Sequence, residues 1–166
     1  MKKINKILMT LLVILTLNFV TGCGSVTENN SKTKFSTGET FTFSGLELTI
    51  GKDISFTQVK SEWSDRKGED IVKIPVHVKN ISEESNSLNM FYYKAFGSQG
   101  TEVDNLASSL SIWDDVKDTI DDAGDLRPGA EYDKYFYFKY DGNGTYVIEF
   151  SELIGEKYEV SIDVNK

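Results

Sequence analysis

The segment DIVKIPVHVKN, residues 70–80, decides the fold class of this chain. Apolar and polar side chains alternate along it, which is the pattern of a β-strand with one buried and one solvated face. The predicted buried face carries Val72, Ile74, Val76 and Val78. Pro75 lies on the opposite face and has no N–H to donate to a ladder, so we expect an edge position or a bulge there.

Similar short segments lie on both sides of this strand. They are FTF (residues 41–43), LELTI (46–50), LNMFYYKAF (88–96), EYDKYFYFKY (131–140), TYVIEF (145–150) and KYEVSIDV (157–164). Roughly seven to nine strands separated by turn residues are typical of an all-β sandwich or barrel. No internal repeat is visible, which argues against a solenoid or propeller. We therefore predict an antiparallel two-sheet β-sandwich over residues 35–166.

One segment, SIWDDVKDTIDDAG (residues 111–124), departs from the alternating pattern. Its apolar residues recur at helical spacing, and its aspartates fall mainly on the other side. The apolar side would carry Ile112, Val116, Ile120 and Ala123. Ser111 suits the start of a helix and Gly124 suits its end. These features predict one short helix, at about residues 111–123, inserted between strands.

The first 22 residues have the three parts of a secretory signal peptide. Three lysines form a basic head, ILMTLLVILTLNFV (residues 7–20) is the apolar core, and Thr21 and Gly22 are the small residues that precede cleavage. A transmembrane anchor is the alternative, but it needs about 20 predominantly apolar residues. This run is shorter and contains polar residues, so we predict that residues 1–22 are a lipoprotein signal peptide.

Val20-Thr21-Gly22-Cys23 resembles the lipobox of bacterial lipoproteins, in which a branched apolar residue and two small residues precede an obligatory cysteine. Val20 stands where Leu is usual, and the other three positions fit. The resemblance implies cleavage after Gly22 and a diacylglyceryl thioether on Cys23. Two acyl chains give stable anchoring, whereas one binds a membrane only reversibly. The alternative is an unpaired thiol behind an ordinary signal peptide.

The mature chain would begin with a polar segment and carry a strongly acidic domain. Residues 24–34, GSVTENNSKTK, are small and polar, so we predict that residues 23–34 are the lipidated cysteine and a flexible tether. Without residues 1–22, 15 basic residues would face 26 acidic ones, a formal charge of −11. This charge argues against nucleic-acid binding, which needs clustered Lys and Arg. Since the chain has one cysteine, it cannot form an internal disulfide.

Three motifs together resemble one protein family. They are TGETFTFSGLELTI (residues 37–50), VKIPVHVKN (72–80) with its closing Asn80, and LRPG (126–129) before an aromatic strand. The family consists of immunoglobulin-like domains of unknown function in exported lipoproteins of Gram-positive bacteria. It is similar in fold to small secreted mycobacterial immunogenic antigens and to telokin-like sandwiches. The resemblance covers residues 35–164, implies an extracytoplasmic location, and assigns no catalytic residue to this chain.

Two groups of side chains are candidates for ligand binding. The aspartates of residues 114–125 offer oxygens that suit Ca²⁺, but they lack the spacing of a calcium loop, so we interpret them as a solvated acidic face. In the strand at residues 131–140, Tyr135 and Tyr137 share the face opposite the phenylalanines. They would form either cross-strand pairs, which we favour, or a contact patch for protein or carbohydrate. Trp63, in a polar loop, is interpreted as a cap on one end of the sandwich.

The sequence gives little support for catalysis. His77 is the only histidine, it falls on the solvated face of its strand, and no nucleophile elbow, P-loop or dinucleotide fingerprint appears. We therefore predict a non-enzymatic lipoprotein, attached to the outer face of the cell membrane through Cys23, without cofactor or metal. It would bind a protein or an envelope polymer. The alternatives are a Ca²⁺- or carbohydrate-binding accessory domain of a surface enzyme or transporter, and a hydrolase with paired carboxylates.

Overall fold

The computed structural model describes residues 32–107 and 115–166, which form ten β-strands. In chain order the strands are β1 (Lys34–Ser36), β2 (Thr40–Phe43), β3 (Leu46–Ile50), β4 (Ser55–Gln58), β5 (Asp70–Asn80), β6 (Tyr93–Phe96), β7 (Glu102–Val103), β8 (Glu131–Lys139), β9 (Gly144–Ser151) and β10 (Lys157–Val164). Two 3-10 turns, Met90–Tyr92 and Ile120–Asp122, are the helical elements of these residues.

The strands form two sheets of five. Sheet A has the order β1-β10-β9-β6-β7. Sheet B has the path β2-β3-β5, with β4 and β8 also paired to β5. Every pair is antiparallel except β1 with β10. The all-β, two-sheet sandwich predicted from the sequence is confirmed.

Strand β5, the segment from which the fold was predicted, lies in the centre of sheet B. β8 pairs with it along one side, while β3 and β4 share the other side. The prediction of an edge strand at Pro75 is therefore wrong. The expected irregularity lies in the segment beside β5, where residues 51–54, between β3 and β4, interrupt the pairing with β5. The Pro75 carbonyl accepts a hydrogen bond from the N–H of Gly51 at 2.8 Å, so the missing N–H of Pro75 faces this interruption.

The main core lies between the two sheets. The predicted inner face of β5 is fully buried, from Val72 to Val78. Aromatic rings from both sheets meet it: the ring centroid of Phe150 on β9 lies 6.2 Å from that of Phe136 on β8 and 5.8 Å from that of Phe43 on β2. Interlocked rings of this kind add directional contacts to apolar burial.

A second, smaller cluster lies on the outer face of sheet B. Ile71 of β5 and Tyr137 of β8 are buried there, because parts of the β4–β5 and β7–β8 connections pack over them. The covering residues are Val59, Leu106, Ala107 and Val116. The Tyr137 hydroxyl donates a hydrogen bond to the Lys117 carbonyl at 2.6 Å. The outer face of sheet B is therefore partly shielded from solvent.

The short helix predicted at about residues 111–123 is observed as a single 3-10 turn, Ile120–Asp122. Residues 111–114 lie outside the described part of the chain, and residues 115–119 are not helical. The predicted apolar side is nevertheless buried at Val116 and Ile120.

The backbone of this segment pairs with sheet B instead of with itself. Thr119 forms a bridge with Tyr135 of β8, whose N–H donates to the Asp118 carbonyl at 3.0 Å. Asp118 has a φ of 54°, a left-handed conformation that breaks a helix. The segment of residues 115–123, which we call the strap, therefore buries Val116 and Ile120 while its backbone pairs with β8, and the helical interpretation is corrected.

Candidate functional site

The predicted membrane anchor lies outside the residues that the structure describes. The lipobox residues Val20, Thr21, Gly22 and Cys23 lie outside them, as does most of the predicted tether, so lipidation of Cys23 stays a prediction. The proposed domain boundaries stay predictions as well. Within residues 32–107 and 115–166, no helix has the length and apolar character needed to cross a bilayer.

Five exposed, large apolar side chains lie at one end of the sandwich, which we call the apolar end: Ile81, Met90, Phe91, Leu153 and Ile154. Phe91, Leu153 and Ile154 are exposed by 83%, 102% and 91%. Among the described residues, one further side chain of this kind is exposed, Trp63 at 94%. An acidic domain that concentrates apolar side chains at one end has the composition of an interaction surface.

Strand pairing places the five residues together. Ile81 directly follows β5, and its N–H donates to the carbonyl of Gly45 in the β2–β3 turn at 3.1 Å. The same turn lines a cleft with residues of the β9–β10 turn, which carries Leu153 and Ile154. Met90–Tyr92 directly precedes β6, whose first residue pairs with the end of β9.

A cleft of about 530 Å³ separates the two most exposed parts of the apolar end. Asn89, Phe91 and Tyr92 form one wall, and residues 151–153 form the other. The Asn89 side chain accepts a hydrogen bond from the Phe91 N–H at 2.9 Å and so caps the 3-10 turn. Phe91 is therefore held outward by a defined turn.

The chain enters the domain at the apolar end. β1 runs parallel to β10, with Lys34 opposite Glu159, and the Thr33 carbonyl accepts a hydrogen bond from the Glu159 N–H at 2.8 Å. Because β1 and β10 run in the same direction, the first described residues, Lys32 and Thr33, lie towards the start of β10, which directly follows the β9–β10 turn. Trp63 lies at the opposite end, in the connection that leads into the first residue of β5.

The loops of the apolar end are held by one buried amide, Asn80. Its Nδ2 donates to the carbonyls of Glu84 at 2.7 Å and Leu126 at 2.8 Å. Its Oδ1 accepts from the N–H of Ser82 at 2.9 Å and from the hydroxyl of Ser82 at 2.7 Å. The backbone carbonyl of Asn80 accepts from Gly129 N–H at 2.9 Å. Two of the three motifs that identified the family, the closing Asn80 and the LRPG turn, therefore contact each other directly.

The aspartate segment does not form a metal site in its described part. Asp115 accepts hydrogen bonds from the N–H groups of Lys60 and Ser61 at 2.9 and 3.0 Å. Asp118 lies 3.9 Å from the ammonium of Lys134. Within residues 32–107 and 115–166, no three His, Cys, Asp or Glu side chains gather as metal ligands, and Asp114 lies outside these ranges.

Asp121 was expected on a solvated face, and the structure corrects this. Its carboxylate accepts hydrogen bonds from the Tyr93 hydroxyl and from Asn105 Nδ2, the latter at 3.0 Å. Burial raises the pKa of the Asp121 carboxyl above its ordinary value, although both hydrogen bonds act in the opposite direction. Burial and the neighbouring Asp121 also raise the pKa of Tyr93. This network ties the strap to β6.

The tyrosines of β8 are engaged within the domain. Tyr137 belongs to the second cluster, and the Lys73 ammonium lies 3.7 Å from the ring centroid of Tyr135. His77, expected on the solvated face of β5, lies beside two carboxylates of β8, with Nδ1 2.9 Å from Asp133 Oδ1 and Nε2 3.9 Å from Glu131 Oε2. Cross-strand contacts, the interpretation favoured from the sequence for the tyrosines, account for Tyr135, whereas Tyr137 is covered by the connecting segments.

A polar cleft of about 440 Å³ lies along the side of the sandwich, between β6, β7 and Arg66. The Arg66 guanidinium bonds to Glu69 at 2.9 Å and to Asp104. Lys94 lies 3.8 Å from Glu149. Because the charges that line this cleft are paired with each other, it lacks the convergent unpaired groups of a ligand site.

Sequence analysis did not single out the apolar end. Residues 88–96 were interpreted as one strand, although β6 begins only at Tyr93 and the preceding turn exposes Met90 and Phe91. The pair Leu153-Ile154 carried the clearer signal, because it stands in a strand-to-strand turn where polar residues are usual.

The fold and the contacts define an all-β, two-sheet domain with one strap and one apolar end. Its sequence matches the model of a domain of unknown function, DUF4352, over residues 35–160. The chain belongs to the DUF4352 family, which confirms the resemblance stated from its motifs. No curated protein matches the chain significantly.

Solved structures with the same architecture share little sequence with this chain. The yjhA protein from Bacillus subtilis is 17% identical, with a TM-score of 0.55, and the match covers 78% of this chain and 99% of that one. A putative lipoprotein, ycdA, from Bacillus subtilis is 14% identical, with a TM-score of 0.56, over 75% of this chain and 38% of that one. The secreted protein MPT63 from Mycobacterium tuberculosis is 12% identical, with a TM-score of 0.52, over 79% and 96%. These similarities establish the fold.

Proposed function

We propose that this protein is a lipoprotein, attached through Cys23 to the extracytoplasmic face of the cell membrane, and that it acts by binding and not by catalysis. The lipobox at the end of a signal-peptide-like segment supports the attachment. Two proteins of similar structure, a putative lipoprotein and a secreted protein, agree with an extracytoplasmic location.

The apolar end is the observation that carries the binding role. Phe91, Leu153 and Ile154 offer apolar area that the fold leaves in water, and removing such area from water is favourable. By contrast, the titratable groups described above are engaged in pairs and networks within the domain. The Ca²⁺-binding alternative receives no such support, since Asp115, Asp118 and Asp121 are engaged with backbone N–H groups, with Lys134, and with Tyr93 and Asn105, respectively.

Replacing Cys23 by Ala tests the attachment. We expect the variant to lose incorporation of labelled palmitate, because no second acylation site would remain. The amount of protein in the membrane fraction should fall at least about tenfold. Ser25→Ala, two residues further along, is the matched control and should keep both properties. Equal palmitate incorporation by the Cys23→Ala protein would contradict the proposal.

The binding role has its own test. Purified full-length protein incubated with cell-wall and glycan substrates should leave them unchanged. Release of products that survives re-purification of the protein would replace binding by a hydrolytic function.

A further inference from the structure

We propose that the apolar end docks into the interface of the membrane that carries the anchor. This inference rests on the proposed function, since it needs the lipid on Cys23. It names the partner of the apolar end as the bilayer itself, in the zone between headgroups and acyl chains.

The position of the chain entry favours the bilayer. Cys23 and Lys32 are nine residues apart, which is roughly 30 Å even at full extension. The chain enters β1 at the apolar end. The opposite end is separated from it by the length of β5, which has 11 residues and spans roughly 35 Å. The anchor therefore keeps the apolar end, and not the Trp63 end, next to the membrane.

The shape of the apolar end also suits a lipid interface. Phe91 projects from a 3-10 turn, and Leu153 and Ile154 project from a strand-to-strand turn on the other side of the cleft. Isolated protruding side chains of this kind can insert among lipids without a complementary surface. Aromatic and aliphatic residues are favoured at the interface, where they leave water while nearby polar groups stay hydrated.

Charge at this end predicts the mode of docking. Lys32 bonds to Glu39 at 2.6 Å, Lys34 to Glu159 at 3.0 Å and Lys157 to Glu149 at 3.1 Å. These lysines are paired with carboxylates, so they offer little attraction to anionic headgroups. Glu152 and Glu156 flank Leu153 and Ile154, and the domain as a whole is acidic, so anionic headgroups would repel it. Docking would therefore depend on apolar insertion, held at high local concentration by the anchor, and would strengthen as salt screens this repulsion.

The single cysteine makes a site-specific test available. If Cys23 is a thioether, a thiol-reactive, polarity-sensitive fluorophore labels only an introduced cysteine. Ile154→Cys reports on the apolar end, and Trp63→Cys, 94% exposed at the opposite end, is the matched control. The full-length lipidated proteins are reconstituted at low density into phosphatidylglycerol–phosphatidylcholine vesicles, and anchoring of both is first verified by vesicle flotation.

The expected result is a blue-shifted emission and at least a twofold quenching by nitroxide-bearing lipids for the label at position 154, with both effects stronger at high than at low salt. The label at position 63 should show neither effect. Leu153→Asp combined with Phe91→Asp, two exposed changes that should leave the thermal melt unchanged, should abolish the shift at position 154 while flotation persists.

Three outcomes would overturn the inference. Flotation without a shift at position 154 refutes docking and leaves the anchor intact. Loss of flotation in both labelled proteins refutes the anchor, and with it the proposed function. A shift that disappears as protein is diluted in lipid shows that a second copy of the chain, and not the bilayer, covers the apolar end.

Discussion

Asn80 explains why a weak sequence motif has structural meaning. The amide closes β5 and bonds to two carbonyls and to both donors of Ser82. Its side chain is fully buried, so every one of these bonds replaces a bond to water. The asparagine and the LRPG turn belong to one hydrogen-bonded unit although more than 40 residues separate them, as the Asn80–Leu126 bond shows.

Asn80→Asp should destabilise the domain by about 2–4 kcal/mol at neutral pH, because a buried carboxylate would face the carbonyls of Glu84 and Leu126. Urea denaturation measures the loss. Asn165→Asp, an exposed site after β10, is the control and should change stability little. Wild-type stability in the Asn80→Asp protein would show that these bonds contribute nothing net.

Asp141 gives a prediction with a pH dependence. Burial alone would raise the pKa of its carboxyl, but the neighbouring Tyr146 hydroxyl and the Ser98 N–H, which donates to Oδ1 at 2.9 Å, outweigh burial and hold the pKa below its ordinary value of 3.8. A depressed folded-state pKa stabilises the fold above the ordinary pKa, and this contribution is lost as the pH falls through the folded-state value.

Asp141→Asn should therefore cost about 1 kcal/mol at pH 7, a modest figure because the carboxylate is only partly buried. The difference from wild type should shrink as the pH is lowered below 3.8. Thermal melts over a pH series measure it, with Asp163→Asn, on the exposed face of β10, as control. A difference that grew in acid would reverse the assigned sign.

At the scale of elements, the break between β3 and β4 allows a proline in a central strand. β5 needs partners on both sides, and Pro75 removes one donor from one side. Residues 51–54, between β3 and β4, do not pair with β5, and this gap lies where the donor is missing. Gly51 lies against the proline ring: a Cβ added there would be 2.7 Å from Pro75 Cγ.

Gly51→Ala should accordingly destabilise the protein by about 1–3 kcal/mol, because neither the ring nor the paired backbone can move away freely. Chemical denaturation is the measurement. Gly124→Ala is the matched control, since a Cβ there meets no atom within 4 Å. If both variants lose equal stability, the cause is not the contact with Pro75.

The same elements show what the sequence could and could not predict. Alternation along β5 identified the buried face correctly, because the side-chain period of a strand decides which residues face the core. The helix at residues 111–123 was predicted from local features, namely apolar spacing and the terminal residues Ser111 and Gly124. An extended strap can bury Val116 and Ile120 equally well, and the choice depends on β8, which bonds to its backbone. Pairing with a strand that is distant in sequence cannot be recognised from the residues of the segment itself.

At the scale of the whole molecule, the sandwich was predictable and its apolar end was not. Strand patterning and turn residues suffice for the architecture, because burial of one face per strand leaves few alternatives. The apolar end depends on three loops that are distant in sequence, at Ile81, at Met90–Phe91 and at Leu153–Ile154. Their common location follows from strand register, which a single sequence does not specify.

The parallel pairing of β1 with β10 determines how the domain responds to mechanical load. A force that pulls the start of β1 away from the end of β10 would move the two strands in opposite directions along their length. Lys34, Phe35 and Ser36 are paired with Glu159, Val160 and Ser161, so these contacts would be sheared together and not opened one at a time. A first strand of only three residues would therefore resist such a force as a unit.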